Sequence, residues 1–208
     1  MPNPKIIVIG LDGASWRLLD PWIEEGKLPN LEKMMKNGVH GKLKSVIPDK
    51  TCPAWKCYST GKKPANLGAF GWSRINWDEE TFDTLRFPFS NETEIWDYLN
   101  RKGFTTGVMN TPLTYPPKQV DGFMITGPST PSEDKEYTYP KDLKEELKEE
   151  YNYRIFPKIT FWVEEVMDKE EIFQYIEKDI KTKFEVARDL GEDVDFLHLT
   201  IYRTDAMQ

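Results

Sequence analysis

A chain of 208 residues, 38% hydrophobic and carrying 15 prolines and 7 tryptophans, is long enough for one domain, or one and a part, around a real core. Its net charge of -7 and pI near 5.1 remove any general electrostatic reason to expect a nucleic-acid partner. No apolar stretch approaches membrane-spanning length, the run Ile6 to Ile9 is too short for a signal-peptide core, and the two cysteines, Cys52 and Cys57, suit packing thiols in a reducing, cytoplasmic compartment rather than a disulfide framework or a thiolate cluster.

The chain opens on Lys5-Ile6-Ile7-Val8-Ile9-Gly10-Leu11-Asp12-Gly13, a continuous β-branched run that predicts a strand buried on both faces, as in a parallel sheet, and ending in a carboxylate. Asp12 reads equally as a turn or capping residue before Gly13. Trp16 to Gly38 predicts two helical pieces. The first is stopped at Pro21, and the second runs from Asn30 with Leu31, Met34 and Met35 on one face and Gly38 as its C-cap. Gly41 to Val46 predicts a short strand whose exit loop turns into a helix at Thr51; Pro53 suits the first turn, Ala54 to Thr60 completes the helix and Gly61 closes it. A helix N-terminus offers unpaired N–H groups and partial positive charge, which bind an anion and favour the alkoxide of a hydroxyl placed there. Thr51 is therefore the candidate nucleophile of a phosphoryl or sulfuryl pocket, against the plainer reading that it is an N-cap.

Gly61 to Trp77, rich in Gly, Lys, Pro and aromatics without period, predicts a loop near the site. Asn91 and Glu94 then form a capping-box pattern for a helix through Arg101, with Ile95, Trp96 and Leu99 inward, and Phe104 to Met109 follows as a strand. A Pro-rich loop, Thr111 to Pro117, and a short strand, Gly122 to Thr126, lead to a charged, aromatic region. Its one helix, Pro140 to Glu150, has only Leu143 and Leu147 to turn inward and is placed on the surface. From Ile172 to Leu190 apolar residues recur at three and four, predicting a long helix ended by Gly191, and Val194 to Tyr202 is a strand leading to Asp205. The chain thus divides into the first part of a core (1–127), an inserted cap segment (128–168) and a return to the core (169–208). Asp12 and Asp205 past strand exits, and Thr51 at a helix entry, are all expected on the carboxyl-end rim of one parallel sheet. Two acids and a hydroxyl there suit metal-assisted attack on phosphorus. His40 and His198 fall in predicted strands and read as structural rather than as ligands.

The motifs Ile6 to Gly13, Leu28-Pro29-Asn30-Leu31 followed by Gly38, and Pro48 with Thr51-Cys52-Pro53-Ala54-Trp55 followed by Thr60-Gly61 and Pro64 resemble the alkaline phosphatase superfamily, nearest its type I phosphodiesterase/nucleotide pyrophosphatase branch. Ile201-Tyr202-Arg203-Thr204-Asp205 resembles the strand-exit segment whose Asp begins a metal-binding Asp-x-x-x-His motif. The resemblance implies a three-layer α/β/α fold with a mainly parallel sheet, two divalent metal ions, usually zinc, and a small phosphorylated or phosphonylated substrate. Asp12 would bind one metal and Asp205 the other, with the Thr51 oxygen between them as nucleophile.

Four departures qualify it. Ala54 stands where nucleotide pyrophosphatases usually have an Asn, and Leu67-Gly68 where a His-Gly pair is common, which puts nucleotide diesters in doubt. Thr51 and Trp55 occupy the Cys and Arg positions of sulfatases, which rejects that activity. The histidine of the Asp-x-x-x-His motif would fall immediately after Gln208, so the resemblance covers an amino-terminal portion of a metalloenzyme, for which weak metal affinity and no useful turnover are expected. The alternative is a non-catalytic α/β binding domain. A haloacid-dehalogenase-like phosphatase fits less well, because Ala14 stands where that fold needs its second Asp.

Overall fold

The computed structural model describes residues 4–76, 78–84, 91–155 and 168–206. In chain order these form β1 (Ile6–Leu11), α1 (Trp16–Glu24), α2 (Pro29–Asn37), α3 (Thr51–Thr60), α4 (Pro64–Leu67), β2 (Ser73–Asn76), β3 (Thr81–Thr84), α5 (Ile95–Arg101), β4 (Thr106–Met109), β5 (Gly122–Ile125), β6 (Thr138–Tyr139), α6 (Leu143–Tyr151), α7 (Lys169–Gly191), β7 (Phe196–Ile201) and α8 (Arg203–Ala206). Five strands make one sheet in the order β1-β7-β4-β5-β6, parallel except for β6, and β2 and β3 form a separate antiparallel hairpin.

Alternation along the strands gives the sheet two apolar faces, so helices cover both. Leu197, Leu199, Ile201, Met109 and Ile125 pack with Val186 and Ala187 of α7 and with Leu143 and Leu147 of α6. On the other face Val108 and Met124 pack with Trp96 of α5, and His198 meets the rings of Trp55 and Tyr58 of α3. The result is a three-layer α/β/α arrangement in which the carboxyl ends of β1, β7, β4 and β5 share one edge.

Several local expectations are corrected. β1 is not buried on both faces: among the described residues it pairs only with β7 and stands at the sheet edge, where Ile6, Ile7, Ile9 and Leu11 are 40–56% exposed. A β-branched run reports strand propensity and says nothing of how many neighbours the strand has. Gly41–Val46 forms no ladder among the described residues, and Leu43 is exposed. Pro21 lies inside α1, where its own carbonyl accepts the Glu25 N–H at 3.0 Å and the helix continues past it. The capping box of α5 pairs Glu94 with Asp97, one turn later than the Asn91–Glu94 pattern. The loop expected from Gly61 contains α4 and leads into the β2–β3 hairpin. As expected, α6 lies on the surface with Leu143 and Leu147 turned inward and Glu145, Glu146, Lys148, Glu149 and Glu150 exposed; what the sequence did not indicate is that those two leucines enter the main core and that β6 extends the sheet beside β5. Two apolar residues four apart are enough to seat a helix on α7. Part of the segment expected as a cap, 156–167, lies outside the described residues.

Candidate active site

The site is built from two strand exits and one helix entry. Lys50 is extended, α3 starts at Thr51, and Ala54 N–H bonds to the Lys50 carbonyl at 3.0 Å. Pro53 has no N–H, so the first turn offers the Thr51 and Cys52 amides as the donors without an intrahelical acceptor. The helix closes at Gly61, whose φ of 69° is the left-handed conformation that glycine adopts at least cost.

Buried chemistry fixes how α3 sits. Cys52 packs with Ala69 and Leu113. One turn on, the Lys56 ammonium is buried against Glu94 at 2.7 Å; Ser59 donates to the same carboxylate oxygen at 2.9 Å, and Lys118 reaches its other oxygen at 2.9 Å. Burial pulls the Lys56 pKa down while the Glu94 charge and hydrogen bond push it back up. Trp55 lies across the backbone of β1: a Cβ on Gly10 would stand 2.1 Å from its ring, so only glycine admits it. From there the indole N–H points to Asp12 Oδ1 at 3.3 Å.

Asp12 follows β1 and is held through its backbone, donating its N–H to the Ile201 carbonyl at 3.0 Å and accepting the Thr204 hydroxyl at 2.5 Å. These bonds tie the exit of β1 to the exit of β7, where α8 carries Asp205. The Asp12 carboxyl pKa is raised above its ordinary value, chiefly by burial; the Trp55 N–H opposes this, the Asp205 charge adds to it, and the Thr51 hydroxyl and Gly13 N–H oppose it. Asp12 Oδ2 is buried and has no hydrogen-bond partner among the described residues. The structure therefore brings Thr51 to Asp12, and Asp205 within electrostatic range of it, at the carboxyl edge of the sheet.

The histidines lie elsewhere. His198 is fully buried between the α3 aromatics and the sheet, with Nδ1 at 2.8 Å from Thr111 Oγ1, and burial pulls its pKa down to about 4. His40 is exposed beside Trp16. Burial pushes the Cys52 thiol up to about 12, which leaves it protonated and inert at neutral pH. Sequence reasoning missed Gly10, Trp55 and the Lys56–Glu94 pair as parts of the site. The one available signal was Trp55 standing four residues after Thr51, on the same helix face.

Residues 6–208 match the type I phosphodiesterase / nucleotide pyrophosphatase family. The chain belongs to this family. Among solved structures, that of phosphonoacetate hydrolase from Sinorhizobium meliloti 1021 in complex with phosphonoacetate superposes with a TM-score of 0.63 at 18% identity, over 97% of this chain and 47% of that one. At that identity the likeness bears out the α/β architecture expected from the superfamily resemblance, and the chain spans about half the length of the hydrolase it matches. Curated proteins give no significant match. No helix among the described residues is long and apolar enough to cross a membrane.

Proposed function

We propose that this type I phosphodiesterase family chain carries the nucleophile half of a metal-dependent phosphoryl-ester hydrolase or transferase, with Thr51 as the attacking residue. The observation that carries the reading is the placement of Thr51, at a helix entry with free amides, against a buried carboxylate that has an unpartnered oxygen and a second acid nearby. A buried acid whose ionisation is made costlier by burial and by a neighbouring carboxylate fits bound cations, which would restore the lost balance of charge. Asp12 would hold one ion and Asp205 the other, with the Thr51 oxygen between them. Divalent ions, zinc first among them, supply Lewis acidity and lower the pKa of a bound hydroxyl.

The chain's own groups account for the rest. The Thr51 and Cys52 amides orient a non-bridging oxygen of a small phosphoryl or phosphonyl substrate at the α3 entry. Thr51 Oγ1 gives up its proton and forms a bond to phosphorus as the bond to the leaving oxygen breaks, and the leaving oxygen takes up a proton. Water then attacks the phosphorylated Thr51, the Thr51 oxygen–phosphorus bond breaks, phosphate (or the monoester or phosphonate that remains of a diester or phosphonyl substrate) departs, the water's proton is lost and the Thr51 oxygen is reprotonated. The hydrolase structure with phosphonoacetate supports a small phosphonate or phosphate as the substrate class.

In a zinc-supplied enzyme of the length of its relatives that carries this chain, Thr51→Ala is expected to abolish nearly all turnover of phosphomonoester and phosphodiester probes while leaving zinc affinity largely in place. Mass spectrometry of acid-quenched wild type should find the phosphoryl group on Thr51; undiminished activity in the variant would overturn the assignment. A second reading, a non-catalytic binding domain, is favoured by one fact: among the described residues no three His, Cys, Asp or Glu side chains gather as a metal site. Calorimetry and turnover assays on that longer enzyme separate the two, since the second reading requires no tight zinc binding and no turnover even there.

A further inference from the structure

A cavity with a few polar groups set in a mainly apolar lining opens on the same sheet edge, on the α7 side. Its volume is about 70 Å³, and neither Asp12, Thr51 nor Asp205 lines it. Asn110, just past β4, Gly127, past β5, and Tyr202 and Arg203, past β7, form its floor, and Asp179 and Lys183 of α7 close it.

The polar groups of this cavity are not all satisfied by one another. Asn110 is 3% exposed, and its Oδ1 accepts the Tyr153 hydroxyl, which orients the amide; its Nδ2 is buried without a partner among the described residues. Lys183 is bound to Asp179 Oδ1 at 2.5 Å, a pair whose charges cancel, and Asp179 Oδ2 has no partner among the described residues. Arg203 senses Asp179 only as a charge at longer range and makes no ion pair among the described residues. Among its described lining side chains the cavity carries two cations, Lys183 and Arg203, against one carboxylate, Asp179, with the Asn110 amide beside them. Buried polar atoms of this kind are satisfied in nearly all native structures, by water or by ligand.

We propose that this cavity is a binding site for a small oxyanion, a phosphate or carboxylate group, held by Arg203, Lys183 and Asn110, with any O–H it carries donated to Asp179 Oδ2. The volume suits it, since one water needs roughly 10–15 Å³ of such space and a group of about five heavy atoms therefore fits. A planar guanidinium beside an ammonium and an amide matches the acceptor geometry of either anion. The site is independent of the role assigned to Thr51.

The test is an amide-resolved NMR titration of the protein with inorganic phosphate and, separately, with acetate. Saturable shifts at Gly127, Tyr202 and Arg203 are expected for at least one of them, and the anion that saturates identifies the source as phosphate or carboxylate. Arg203→Gln should weaken that binding by about tenfold or more. Asn110→Asp, which keeps shape and turns a donor into an acceptor, should abolish it, and thermal melts report whether each variant is folded. Should Arg203→Gln fail to fold, Arg203→Lys is expected to give a partial loss by keeping the charge and losing the fork. No saturable shift with either anion, shifts confined to Thr51 and Cys52, or unchanged affinity in the folded Arg203 variant would overturn the proposal.

Discussion

At the scale of single residues, the groups around the site are held in states that cost stability. The folded pKa of Asp12 lies above its ordinary value, so between the two the native state binds more protons than the unfolded one and stability falls as pH rises. Above the raised value the cost of the buried charge is complete. Asp12→Asn keeps an oxygen to accept from Trp55 and should therefore raise the melting temperature of the metal-free protein near neutral pH, a gain that disappears below the ordinary carboxylate range; paired melts in chelator at the two pH values check this. His198 has the opposite linkage. Its pKa falls from 6.5 to about 4 through burial, so the unfolded state binds the extra proton in that window and stability is lost as pH falls through it. At about 1.4 kcal/mol per unit this amounts to on the order of 3 kcal/mol. Urea unfolding of wild type should weaken by about that much across the window, whereas His198→Gln should show a flatter profile.

At the scale of elements, the orientation of α3 depends on a charge network under it rather than on its own apolar face. Lys56, Ser59 and Lys118 converge on Glu94, which also caps α5, so one carboxylate joins two helices and the loop after β4. Removing one member leaves a buried charge uncompensated. Glu94→Ala is expected to cost about 3–5 kcal/mol in urea unfolding. The double change Lys56→Met with Glu94→Leu removes the central pair of charges and should recover much of that loss, which a merely additive pair of substitutions would not do.

At the scale of the whole molecule, β1 is the weak border of the sheet. Its residues Ile6, Ile7, Ile9 and Leu11 are exposed, and among the described residues no strand pairs its outer side. An apolar, unpaired edge is a template for association. The chain should self-associate with rising concentration in light scattering, and Ile7→Lys should suppress this while shifting the melting temperature little, because Ile7 is 56% exposed. Unchanged association in that variant would place the sticky surface elsewhere.

The sequence by itself was sufficient for the alternation of strands and helices, the family, and the placing of Asp12, Thr51 and Asp205 after β1, at the start of α3 and after β7, since local period and end signals mark elements and a parallel sheet carries its strand exits to one edge. Only the tertiary structure decided that β1 lies at an edge, that Gly41–Val46 forms no ladder among the described residues, and that Leu143 and Leu147 of α6 enter the main core. It alone brought Trp55 over Gly10 onto Asp12, Glu94 under Lys56, and Arg203 beside Asn110 and Lys183. The reason is physical. A hydrophobic period states that a face is covered but not by what, and opposite charges 38 residues apart leave no local trace of the pairing that only burial in a common interior makes necessary.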